Sequence, residues 1–140
     1  MTSEDEICKF LKEAMKEEVK AASEYREWAD KVTMVLPRDP GLAQGIRFAL
    51  NEIADTQEGH SKILAEAKED LCPGDDPDLS DLSEKAKAKL KEIWEAAKKR
   101  TKYEVELTSK CRLGAMSESK KAYDEFMRKC AVEKKIAPPP

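Results

Sequence analysis

Glu52-Ile53-Ala54-Asp55-Thr56-Gln57-Glu58-Gly59-His60-Ser61-Lys62-Ile63-Leu64 holds the only histidine in the chain. Around it, Ile46, Leu50, Ile53, Gln57, His60, Leu64, Ala67 and Leu71 follow one another in alternating steps of three and four. That spacing puts them on one helical face and predicts the buried stripe of a bundle helix. Gln57 and His60 interrupt the stripe one turn apart. Upstream, Ile7, Leu11, Ala14, Glu18, Ala21, Tyr25, Trp28 and Val32 form a second stripe, with Glu18 as its only charge. A buried carboxylate is costly unless something pairs with it. The simplest arrangement therefore turns Glu18 toward Gln57 and His60.

Composition agrees with long helices. Of 140 residues, 39% are charged, 6% are aromatic and only five are glycine. Such a chain, rich in Ala, Glu, Lys and Leu, is expected to form one all-α domain. A net charge of -3 gives no case for nucleic acid, whose binders carry a basic stripe. No apolar run reaches the ~18 residues that cross a bilayer. The opening Met1-Thr2-Ser3-Glu4-Asp5-Glu6 is acidic where a secretory leader is basic and then apolar. A cytoplasmic protein without a membrane partner is expected. Cys8, Cys72, Cys111 and Cys130 lack Cys-x-x-Cys spacing, so reduced, partly buried thiols are expected. The high Glu and Lys content is also compatible with a thermophile, where intracellular disulfides occur.

Helices are expected over 4–35, 42–71, 81–112 and 117–135. Thr2 or Ser3 caps the first, and the prolines and glycine of Leu36-Pro37-Arg38-Asp39-Pro40-Gly41 stop it. Ser80 or Ser83 caps the third, Gly114 ends it, and Ser117 caps the fourth. The aspartates of the loop from Cys72 to Asp81 lack EF-hand spacing. That loop reaches at most ~35 Å, against ~45 Å for a 30-residue helix. A short-way, up-down-up-down connection is therefore favoured over a full crossover. In that order Cys8, Cys72 and Cys130 share one end and Cys111 lies at the other. With helices 1 and 2 antiparallel, Glu18 and Gln57 both stand ~21 Å above the base and His60 ~17 Å. The second half offers no seam carboxylate at that height, only a flanking Glu95 or Glu125 beside Tyr123.

Glu18-Val19-Lys20-Ala21-Ala22-Ser23-Glu24-Tyr25 and Ile53-Ala54-Asp55-Thr56-Gln57-Glu58-Gly59-His60 resemble the ferritin-like superfamily, in particular its rubrerythrin-type members. That family sets a Glu on a first helix and Glu-x-x-His on the next, then repeats the pattern around two irons. The resemblance covers Ala14 to Asp70. It implies an antiparallel four-helix bundle, ferritin-like, with Glu18, Gln57 and His60 at a metal site. Iron or another divalent metal is the implied cofactor, and oxidoreductase chemistry the implied activity. Gln57 stands where the family has a ligand Glu, and Arg128 of Glu125-Phe126-Met127-Arg128 stands where it has a second histidine. Inventory alone excludes a complete di-iron site within one chain. A homodimer with a two-fold axis could double the half-set. The alternative is a non-catalytic helical interaction or structural protein that has lost the di-iron centre. His60 would then be a satisfied buried imidazole. A phosphotransfer histidine, as in other four-helix domains, would instead be exposed.

Overall fold

The computed structural model describes residues 3–35, 38–111 and 120–138. Five helices run through them: α1 Glu4–Val35, α2 Pro40–Leu71, α3 Glu84–Lys98, α4 Lys102–Cys111 and α5 Lys120–Glu133. No strand occurs among the described residues, and the class is all-α. The expected Gly114 stop and Ser117 cap lie outside them.

Local chemistry sets the boundaries. At the start of α1, Ser3 Oγ accepts from the Glu6 amide at 3.2 Å, and three acids fill the first turn. α2 begins before Leu42. Asp39 caps the Leu42 amide at 3.0 Å, and Pro40 takes the first helical position, where its missing N–H is no loss. α3 begins later than expected, because the Ser80 amide is tied to Asp78 at 3.0 Å. Ser83 is the cap, accepting from the Ala86 amide at 3.2 Å.

The single helix expected over 81–112 is two helices. Thr101 Oγ1 accepts from the Glu104 amide at 3.2 Å and donates to the Glu104 carboxylate at 3.1 Å, which starts α4 afresh. Arg100 fills the corner with its side chain 4% exposed. It donates to Ala97 O at 3.0 Å, Glu66 O at 3.2 Å, Asp70 at 2.5 Å and Thr108 Oγ1 at 2.5 Å. These bonds tie the end of α3 to α2 and turn α4 away.

The buried stripes lie one residue beyond the expected ones. Cys8, Met15, Val19, Ala22 and Ala29 are buried on α1, whereas Ile7 and Trp28 are exposed. Ala43, Ala54, Ser61 and Ala65 are buried on α2, whereas Ile53 and Leu71 are exposed. The inward positions are mostly Ala and Ser, which let two long helices approach closely. Ser61 Oγ donates to Met15 O at 2.8 Å, inside the hairpin.

α3 runs parallel to α2 and antiparallel to α1, which overturns the short-way expectation. The strap from Cys72 to Ser83 climbs along α1, with Asp75 on Lys12 at 2.9 Å and Asp81 on Lys16 at 2.5 Å. α3 then descends. Trp94 Nε1 donates to Glu69 at 3.2 Å, and Arg100 closes on Asp70. At 15 residues α3 is only ~22 Å long, so the strap need not span the whole hairpin. Leu82, Ala86, Leu90, Ile93 and Ala97 form one core with Met15, Val19 and Ala65. A second core joins Ile63 of α2 to Cys111, Met127, Ala131 and Ile136. α4 and α5 pack on each other and on α2, and among the described residues neither packs on α1 or α3.

The cysteines are paired, contrary to the reduced thiols expected. Cys8 bridges Cys72 with Cα atoms 6.3 Å apart, and Cys111 bridges Cys130 with Cα atoms 5.9 Å apart. Cys111 and Cys130 therefore share one end, because α4 and α5 fold back as a short hairpin.

Candidate metal-binding pair

Glu18 and His60 meet, as the matched heights predicted. Glu18 Oε2 lies 3.6 Å from His60 Nδ1, and the side chains are 27% and 22% exposed. α1 carries Glu18 half-buried beside the close-packed stripe, and α2 carries His60 in the same relation. The antiparallel hairpin, stapled at its base by Cys8–Cys72, brings them to one level. Gln57 sits one turn before His60, also half-buried.

The pair is not closed by hydrogen bonds. A separation of 3.6 Å exceeds hydrogen-bond range. Glu18 Oε2 and His60 Nε2 are both shielded from solvent and have no hydrogen-bond partner. Buried polar atoms in folded proteins nearly always find partners, so two orphans in one pair need an explanation. The flanking carboxylates of the second half do not join them. Glu95 is exposed on α3, and Glu125 lies on α5, which does not pack on α1. Tyr123 lines a separate cavity of ≈ 440 Å³ between α2, α4 and α5. No group of three or more His, Cys, Asp or Glu gathers for a metal ion among the described residues. The loop aspartates are drawn off individually: Asp75 to Lys12, Asp76 to Lys98, Asp78 to the Ser80 amide and Asp81 to Lys16.

Three polar clusters were not anticipated. Arg26 binds Glu58 through Nε at 3.2 Å and Nη2 at 2.6 Å, Asp55 at 2.6 Å and Asn51 at 3.3 Å. The Glu58 hydrogen bond, aided by Asp55, raises the already high guanidinium pKa against the opposing effect of burial. Lys68 is fully buried, with Nζ 3.6 Å from Glu69 and 5.7 Å from the Trp94 ring. Arg100 holds the corner between α3 and α4. Complementary charges on the inner stripe, Arg26 with Glu58, are the sequence signal for the first cluster. Thr101-x-x-Glu104 is the signal for the third.

Comparison with family models, with curated proteins and with solved structures returns no match for this chain.

Proposed function

We propose that this is a metal-binding helical protein in which Glu18 and His60 ligate one divalent cation, on a scaffold related to the ferritin-like, rubrerythrin-type bundles. The observation that supports this is the open spacing between Glu18 Oε2, which has no hydrogen-bond partner, and His60 Nδ1. A structural Glu–His pair gains by closing to hydrogen-bond distance, whereas this one stands at 3.6 Å. Two metal–ligand bonds of ~2.0–2.1 Å meeting at ~110–120° separate their outer atoms by ~3.3–3.6 Å. Carboxylate and imidazole together suit iron, zinc or manganese, and the resemblance puts iron first. The Gln57 amide oxygen offers a weaker, neutral third donor.

These residues do not fit a two-iron centre. One carboxylate and one imidazole stand where the family arrangement needs four carboxylates and two histidines. In a single chain the pair does one thing: it holds a carboxylate and an imidazole nitrogen at ligand spacing on a half-buried face. The cytoplasmic setting belongs to the same proposal. Paired cysteines are compatible with it in hyperthermophiles, whose intracellular proteins are disulfide-rich.

A second reading, a non-catalytic interaction module, is favoured by the apolar side chains left outside. Trp28, Met34, Val35 and Phe48 are all more than half exposed. Elemental analysis and melting decide between the two. The metal reading expects iron, zinc or manganese retained after desalting and a melting temperature that a chelator lowers. His60→Ala should lose both, and Gln57→Glu should strengthen binding by restoring a carboxylate. Metal-free protein whose melting ignores both metal and chelator would refute it.

A further inference from the structure

The two stripes expected to be core lie along a partly exposed face, most of their residues half-buried against the hairpin itself. Met15, Val19 and Ala65 meet α3, and each stands one position after a stripe residue, ~100° round its helix. Ser23 and Arg26 line one cleft with Lys85 and Lys89 of α3 on the same flank. α4 and α5 reach α2 through Ile63, on its outer side. Among the described residues nothing covers the remaining flank, where both stripes run side by side. Ile7 is 41% exposed there, Leu71 39%, Ile53 39% and Trp28 59%. Glu18 and His60 sit in the middle of it.

We propose that a second copy of this chain docks on this face. The Glu18–His60 pairs of the two copies then form one divalent-metal site, a step that rests on the metal reading above. The area fits. α1 and α2 are each 32 residues, ~48 Å long, and two packed helices are ~20 Å wide. Each copy would bury ~900 Å², against ~800 Å² per partner in a standard stable interface. The symmetry fits as well. A two-fold axis parallel to the helices lays α1 of one copy on α2 of the other, keeps every neighbour antiparallel and sets both pairs at one height. Four helices then enclose the two stripes. Two carboxylates and two imidazoles make the four donors of a tetrahedral site. The half-set in one chain and the partly exposed stripe in that chain thus have one common remedy.

Sedimentation of the full-length protein, with Zn²⁺ and with anaerobic Fe²⁺, tests this. The wild type should be a dimer binding one metal ion per two chains. Ile53→Glu, at an exposed site, should keep its circular dichroism and weaken the dimer at least tenfold. Trp28→Glu, as a second variant, should do the same. Val132→Glu, on the outer face of α5, should change neither state nor binding. His60→Ala should stay dimeric and lose the metal. A monomeric wild type, or a dimer indifferent to both face variants, overturns the docking. A monomer binding one metal per chain overturns the docking and leaves the metal reading intact. A dimer broken by Ile53→Glu that binds no metal overturns the shared site and the metal reading together, and leaves the docking face standing.

Discussion

Arg26→Met isolates the charged clasp between α1 and α2. The guanidinium spans both Glu58 oxygens, through Nε at 3.2 Å and Nη2 at 2.6 Å. It also reaches Asp55 at 2.6 Å and Asn51 at 3.3 Å. Methionine keeps most of the apolar stem and removes the fork. The Asp55 contact faces water and is worth ~0.2–1 kcal/mol. A forked, charge-assisted bond to a carboxylate is worth ~1.5–3 kcal/mol when desolvated. Glu58 is only 15% exposed but Arg26 is 37% exposed, so water screens part of that energy. The net expectation is a loss of about 2 kcal/mol, or ~6–10 °C in melting temperature for a domain of this size. Urea denaturation followed by circular dichroism measures it. Salt at ~1 M should shrink the difference, because the Debye length there falls to ~3 Å. A double-mutant cycle with Glu58→Gln should return a coupling of ~1–2 kcal/mol. A loss below ~0.5 kcal/mol with no coupling would show that the fork is a solvated surface pair and that the small-residue stripe alone holds the hairpin.

Two further outcomes follow from the strap and the disulfides. The hydrogen bond from Lys12 holds the Asp75 carboxyl below the usual carboxylate range, and that from Lys16 does the same for Asp81. Lys16 is in turn raised, chiefly by Asp81 and against the opposing effect of burial. The depressed carboxyls stabilise the fold fully above an unfolded pKa of ~3.9 and lose that contribution as pH falls further. The raised lysine contributes below ~10.4 and loses it as pH climbs. Proteolysis within 72–83 should therefore accelerate at both extremes, and Lys16→Met should flatten the alkaline limb. Alkylation without reductant should add no mass, since all four cysteines are bridged. Replacing Cys8 and Cys72 by alanine opens a link of 64 residues and should cost about 4 kcal/mol. Replacing Cys111 and Cys130 opens one of 19 and should cost about 3 kcal/mol.

Helix boundaries were legible wherever a side chain caps an amide, because capping is local chemistry. Ser3 does so at α1, and Ser83, one of the two caps offered for the third helix, does so at α3, whereas the Asp39 cap that starts α2 at Pro40 was overlooked. The break at Lys99-Arg100-Thr101 was hidden because Leu82, Ala86, Leu90, Ile93, Ala97, Thr101, Glu104, Thr108 and Cys111 keep helical spacing across it. Periodicity records which face is apolar, and two consecutive helices can share a period. Only Thr101-x-x-Glu104 marked the new start. The direction of α3 was misjudged for a related reason. Loop reach was compared with a 30-residue helix, and a helix half that length needs half the climb.

The meeting of Glu18 and His60 was legible for a reason independent of the error made about the stripes. Height along an antiparallel hairpin depends on residue count and rise alone, and a rotation of one residue on both helices leaves it unchanged. The flank was a different matter. Each helix carries two adjacent stripes, one of large apolar residues and one of Ala and Ser a single position later. Hydropathy weights the first more heavily. Close approach of two backbones selects the second, because Ala22, Ala29, Ala54 and Ser61 allow a spacing that Trp28 and Ile53 forbid. The small stripe is therefore consumed within the hairpin and, at Met15, Val19 and Ala65, under Leu90 and Ile93 of α3. The large stripe is left on the flank of Glu18 and His60, where the described chain supplies no further layer. The same signal that misplaced the core within one chain thus marks the face on which we propose that a second copy docks.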